Sequence, residues 1–225
     1  MAILDDNLTA FRNEINTVCA ACGRDPACVR IVPATKTVAP DVINRLPALG
    51  LDTVGENRVQ ELIEKHGAVQ GVKWHIIGQL QSNKVKYVID KVEMIHSLDR
   101  RSLADEIERQ CSRRGLIMPV LIEVNIARID THGGVAPEDV IDFAQTVITD
   151  YPHLSLRGLM AVLPPQGVEQ ACAEMRDLSN DLQRIAPDAT ELSMGMSADY
   201  AVAIRYGATI VRPGRILFGE RNYGR

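Results

Sequence analysis

Eight times along this chain a short apolar run gives way to polar residues and then to a stretch with helical spacing, and few folds accommodate that alternation. The first run, at residues 29–36, reads VRIVPATK and ends on a lysine. The others lie at 52–55, 74–78, 94–97, 120–126 (bounded by Pro119), 156–160 with Val162 as an extension, 192–195 and 209–212. A helix over about residues 5–22 precedes them. Pro40 opens a helix that Pro47 ends or kinks. A second helix runs through Val59, Leu62 and Ile63, Ser82 is placed to cap a third, and charged residues fill a fourth near 100–114. Pro137 starts a helix reaching about Thr149, a long one spans 168–185, and the last covers 198–206. Strands alternating with helices, without a linker or a low-complexity segment, imply a parallel sheet with crossover helices. Eight units fit a closed (β/α)8 TIM barrel. An open doubly wound sheet would have fewer strands and a glycine fingerprint after the first, and PATKT contains no glycine. The expectation is an α/β chain forming one domain over residues 1–225, with an extra N-terminal helix and a barrel over about 28–219.

Composition agrees with that outline. The chain has 225 residues, 46% of them hydrophobic and only 4% aromatic, so its core must come from aliphatic side chains of the kind that fill parallel sheets. A net charge of −4 without a long basic run argues against binding nucleic acid through phosphates. Asp5, Asp6, Arg12 and Glu14 interrupt the first twenty residues, so no signal peptide is expected, and no later run is apolar enough to span a membrane. A cytoplasmic protein is expected. Cys19 and Cys22 have the spacing of a metal or redox pair, but Leu8, Phe11, Ile15, Val18, Cys19 and Cys22 recur at steps of three and four. That is the buried stripe of a helix, and no second pair completes a zinc site.

In such a barrel, chemistry gathers at the C-terminal ends of the strands. The residues there are Lys36, Glu56, Asn57, Arg58, His75, His96, Ser97, Asn125, Met160, Ser193, Ser197, Arg212 and Gly214. A lysine ending an apolar strand, opposite polar residues in every later unit, faces a shared site. After the seventh strand comes Met194-Gly195-Met196-Ser197 at a helix start, and after the eighth comes Arg212-Pro213-Gly214-Arg215. Backbone N–H groups at a helix start favour an anion, and these two loops are the usual phosphate site of barrel enzymes. A phosphate pocket opposite a lysine suits pyridoxal 5′-phosphate (PLP), with the lysine forming a Schiff base. Arg212 on the pyridine nitrogen would leave the ring neutral and weaken it as an electron sink.

The segments PATKT, GENRVQEL, WHIIGQLQSNK, IHSLD, EVN, RGLMAV, LSMGMSADY and VRPGRILFG, in this order, closely resemble the pyridoxal phosphate homeostasis protein family, whose barrel is related to the N-terminal domain of alanine racemase. The likeness covers about residues 28–221. It implies a protein that binds PLP covalently through a lysine aldimine and acts in vitamin B6 and amino-acid balance, without an established reaction. By the same resemblance Lys36 matches the cofactor lysine, Arg212 the partner of the pyridine nitrogen, and Ser197, Gly214 and Arg215 the phosphate binders. Two positions depart from the family pattern: His132 stands where a lysine is common, and Pro213 where an aliphatic residue is more frequent.

Asn57, His75 and Met196 join the expected cofactor contacts. Asn57 and Asn125 could each reach the ring oxygen or fix a loop, and Glu56 beside Arg58 suggests an ion pair. Lys84 is the rival lysine. No catalytic or metal-binding residue is expected. The partners foreseen are PLP itself and, as recipients, PLP-dependent apo-enzymes, with the chain a monomer or weak dimer. Three functions follow: a PLP carrier or regulator, a PLP-dependent racemase or related amino-acid enzyme, and an aldolase whose lysine attacks a sugar-phosphate carbonyl directly. The racemase reading lacks a second base across the ring, for which Tyr223 on the tail is the least excluded candidate.

Overall fold

The computed structural model describes residues 2–129, 131 and 133–220; Asp130, His132 and Tyr223 lie outside the described residues. Eight parallel strands form one sheet: β1 (Arg30–Ile31), β2 (Thr53–Glu56), β3 (Lys73–Ile76), β4 (Met94–Leu98), β5 (Met118–Val124), β6 (Leu154–Ala161), β7 (Glu191–Ser193) and β8 (Ile210–Val211). Their order is β1-β8-β7-β6-β5-β4-β3-β2. Beyond β1 the chain stays extended, and Ala34 bridges Gly55 of β2. Gly55 N–H donates to Pro33 O (2.8 Å) and Thr35 N–H to Gly55 O (2.9 Å), which joins the two ends of the sheet into the expected barrel. Pro119, expected to bound the fifth strand, lies inside it. Its missing N–H costs no ladder bond, because pairing with β4 begins only at Val120.

The helices are α1 (Ala2–Ala21), α2 (Pro40–Ile43), α3 (Val59–His66), α4 (Arg101–Arg114), α5 (Val140–Asp150), α6 (Val168–Ile185), α7 (Tyr200–Arg205) and α8 (Arg215–Phe218). The third unit differs from expectation: Ser82–Tyr87 form a 3-10 helix without a side-chain cap, and the Ser82 hydroxyl instead accepts from Arg100. The 198–206 helix is shorter than expected, starting at Tyr200. Helix α1 covers the ground left by the single turn of α8. Leu4, Leu8, Phe11, Ile15 and Cys19 form its buried stripe, Phe11 meets Tyr200 edge-on at 4.7 Å, and Asn7 donates to Leu217 O. No helix among the described residues is long and apolar enough to cross a membrane.

Two cores result. The larger lies between the sheet and its helices. The smaller is inside the barrel, where Val32, Met94, Leu121, Met160 and Ile210 form an apolar plug. Two residues further along β4, β5 and β8 the interior turns polar, since side chains two apart share a face: His96 follows Met94, Glu123 follows Leu121 and Arg212 follows Ile210. His75 and Ser193 pack beside them, and all five are buried.

Candidate functional site

A cavity of about 480 Å³ opens at the C-terminal end of the barrel. Lys36, Asn57, Met196, Ser197, Arg212, Gly214 and Arg215 line it, together with Ala34, Ile77, Val162, Ala198 and Glu220. Seven of the expected site residues therefore share one pocket. His75 does not line it. At 3% exposure it sits deeper, because its place on β3 is two residues short of Ile77, which faces the cavity. The rival Lys84 lies near the Tyr87 ring, 5.8 Å from its centroid, and is not among the lining residues.

Arg212 forms part of the floor. It is 4% exposed, and two of its nitrogens are already committed: Nη1 donates to Ser193 Oγ at 2.7 Å and Nη2 to Ala161 O at 2.9 Å. The chain continues from Ser193 Oγ to His96 Nδ1 (3.0 Å) and from His96 Nε2 to His75 Nδ1 (3.0 Å). A guanidinium can only donate, so Ser193 accepts from Arg212; its own hydroxyl hydrogen, buried with the residue at 0% exposure, then finds its acceptor in His96 Nδ1. His96 then carries its proton on Nε2 and gives it to His75 Nδ1. Both imidazoles are neutral in this arrangement. Burial is the main cause that lowers their pKa values, His75 to about 3 and His96 well below its ordinary value. Burial also lowers Arg212 to about 10, so it remains cationic at neutral pH. Glu123 approaches from β5; burial first and the Asp99 charge second raise it to about 7 against the pull of Arg212.

The loops after β7 and β8 meet at Ser197. Its Oγ accepts from Gly214 N–H (3.1 Å) and Ile216 N–H (3.2 Å), and Met196 N–H is taken by the Asp199 carboxylate. Backbone donors thus converge beside Arg215 on oxygen atoms, the arrangement an anionic oxygen also satisfies. Gly195 lets the loop turn here: its φ is +95°, and an added Cβ would lie 2.8 Å from Ala203 Cβ and 2.9 Å from Tyr200 Cα. Opposite, the Asn57 Oδ1 atom is buried without a hydrogen-bond partner among the described residues, and buried acceptors of this kind carry a cost unless a ligand or water uses them. Asn125 is different, for it donates to Ile129 O and accepts from Ile129 N–H, which makes it a loop fastener.

Glu56 corrects one expectation. Its partner is Lys65, at 2.9 Å, because Glu56 points inward while Arg58 is exposed and leans toward Glu61. Sequence reasoning missed Lys65; the signal available was its i,i+4 spacing from Glu61 on a helix. Ser193 and His96 were visible as strand-end residues, but their link to Arg212 was not. The buried cysteines are free thiols, with Cys111 and Cys172 raised by burial, and no group able to hold a metal occurs among the described residues.

A barrel with a lysine after β1, an arginine after β8 and two loops whose backbone donors converge defines a class, and residues 7–222 match the model of the alanine racemase N-terminal domain family. An alanine racemase of Clostridium difficile shares the fold (TM-score 0.77, 17% identity, 99% of this chain and 58% of that one). The pyridoxal phosphate homeostasis protein of Aquifex aeolicus is 43% identical over 97% of this chain and 98% of its own length. That of Escherichia coli K12 is 33% identical, with 97% of each covered. PipY of Synechococcus elongatus, solved with PLP bound, superposes with a TM-score of 0.81 at 30% identity over 96% of this chain and all of that one. The chain belongs to the pyridoxal phosphate homeostasis protein family.

Proposed function

We propose that this protein binds PLP covalently through the Lys36 amine and serves PLP homeostasis as a carrier or regulator, with no strong catalysis of its own. The observation that carries the reading is the convergence of Lys36, Arg212 and the Ser197–Gly214 donors on one cavity. Bound PLP would supply an aldehyde for the Lys36 amine and an electron-withdrawing ring. Ser197, Gly214 and Arg215 hold the phosphate end. Arg212, immobilised by Ser193 and Ala161, would present a cation to the pyridine nitrogen, which would keep that nitrogen unprotonated and the ring a weak electron sink. Asn57 offers its unpartnered oxygen to the ring or to a bridging water. Racemisation needs two groups of suitable pKa on opposite faces; among the described lining residues no tyrosine, histidine or cysteine accompanies Lys36, and the one carboxylate there is Glu220.

The test is spectroscopic. Mixing the protein with PLP should give the absorbance of a lysine imine and a borohydride-trapped mass adduct, both lost in Lys36→Ala and kept in Lys84→Ala. Incubation with L- or D-alanine should give optical inversion and keto-acid release no faster than free PLP. An adduct that survives Lys36→Ala refutes the assignment of the lysine. Turnover well above free PLP, lost in Lys36→Ala, refutes the carrier reading in favour of an amino-acid enzyme.

A further inference from the structure

Lys65 lies outside the cavity, yet its ammonium holds the residue before Lys36 directly and the residue after it through Glu61. Its Nζ donates to Thr35 O (2.9 Å), Glu56 Oε2 (2.9 Å) and Glu61 Oε2 (2.8 Å), so three ammonium hydrogens meet three acceptors. The same Glu61 oxygen accepts Thr37 N–H at 2.7 Å. Glu56 also accepts the Thr35 hydroxyl at 3.2 Å and Asn57 N–H at 2.8 Å. One side chain, itself 10% exposed, therefore fastens residue 35 directly, residue 37 through Glu61 and residue 57 through Glu56. Burial alone would raise the Glu61 carboxyl, but the bonds from Lys65 and Thr37 outweigh it and hold it below its ordinary value.

Thr37 explains why such a fastening is needed. Its φ is +62°, a conformation that β-branched residues avoid and that persists only where the surroundings over-determine it. Without the Glu61 carboxylate on its N–H and the ammonium on the preceding carbonyl, the segment would relax to negative φ and swing the intervening residue. We propose that Lys65 is a positioning residue for Lys36: with Glu56 and Glu61 it clamps Thr35 and Thr37 so that the left-handed turn at Thr37 directs the Lys36 amine into the cavity. The functional part of this inference rests on the PLP reading above; the conformational part does not.

The experiment compares wild type, Lys65→Met, Thr37→Gly and the double variant, each as the full chain. Glycine adopts positive φ without a clamp, so Thr37→Gly should rescue a defect that arises through Thr37. In ligand-free Lys65→Met, backbone chemical shifts of Thr37 should move from the left-handed to the extended range, and PLP should bind at least tenfold more weakly. Thr37→Gly alone should stay within threefold of wild type, and the double variant should bind at least threefold more tightly than Lys65→Met. Glu61→Ala, which leaves the Lys65–Glu56 pair intact, should shift Thr37 in the same way and stands in if Lys65→Met does not fold. Unchanged Thr37 shifts in these variants overturn the clamp, as does a double variant no better than Lys65→Met. Wild-type protein that fails to form the PLP adduct refutes the PLP reading instead, while the Thr37 shifts still judge the clamp.

Discussion

Mild acid should weaken this fold through two histidines inside the barrel. His75 and His96 are 3% and 0% exposed, and both are neutral in the seat of Arg212, with His75 at about 3 and His96 well below its ordinary value, burial being the main cause for each. A histidine depressed in the folded state carries fewer protons than in the unfolded chain, so its contribution is present above the ordinary value of about 6.5 and is lost as pH falls toward the folded value. One proton taken up only on unfolding changes stability by about 1.4 kcal/mol per pH unit. Two histidines therefore approach ~2.7 kcal/mol per pH unit between pH 6 and 5. Glu123 acts in the opposite sense: raised to about 7, it stabilises below its ordinary value and loses that contribution as pH rises, subtracting up to about 1.4 kcal/mol per unit in the same window. The three together leave a loss of roughly 1.4 kcal/mol on going from pH 6 to 5. Urea unfolding followed by circular dichroism at pH 7, 6 and 5 measures this slope for wild type and for His75→Gln combined with His96→Gln. The double variant should lose the histidine contribution and reverse the sign of its slope, because Glu123 then dominates. Equal slopes in the two proteins, or His75 and His96 imidazole NMR signals that titrate above pH 5.5, refute the neutral chain.

Ser197→Ala should weaken PLP binding at least about tenfold, since a hydrogen bond to a charged acceptor is worth roughly 1.5–3 kcal/mol, and should affect unphosphorylated pyridoxal far less; equal weakening of both, in a titration by absorbance, removes Ser197 from the phosphate site. Gly158→Ala should prevent β6 from pairing with β7, because φ is +145° and an added Cβ would lie 1.8 Å from Glu191 O; soluble protein with an unchanged melting temperature counts against the register described here. Ser193→Ala leaves Arg212 Nη1 and His96 Nδ1 without their shared partner, at a cost of about 1–3 kcal/mol for each buried polar group, measurable as a drop in melting temperature.

Local pattern carried much of this molecule. The 168–185 helix has the bounds its periodicity implies, the eight strands fall where the apolar runs lie, and Lys36, Ser197, Arg212 and Gly214, candidates by their position at strand ends, line one cavity. Period and turn chemistry are properties of neighbours in sequence, so a sequence displays them. The 3-10 turn at Ser82–Tyr87 and the replacement of the last helix by α1 were not legible, because both depend on which surface of the barrel remains to be covered. His75 was placed one level too high for the same reason: a strand pattern tells inside from outside but not depth along the barrel axis. The chain from Arg212 through Ser193 and His96 to His75 joins four strands across sequence separations as large as 97 residues, and the Lys65 clamp links α3 to the turn after β1. Barrel closure decides such contacts. It brings donors and acceptors from remote strands into one dry interior, where leaving any of them unpaired would cost more than pairing them.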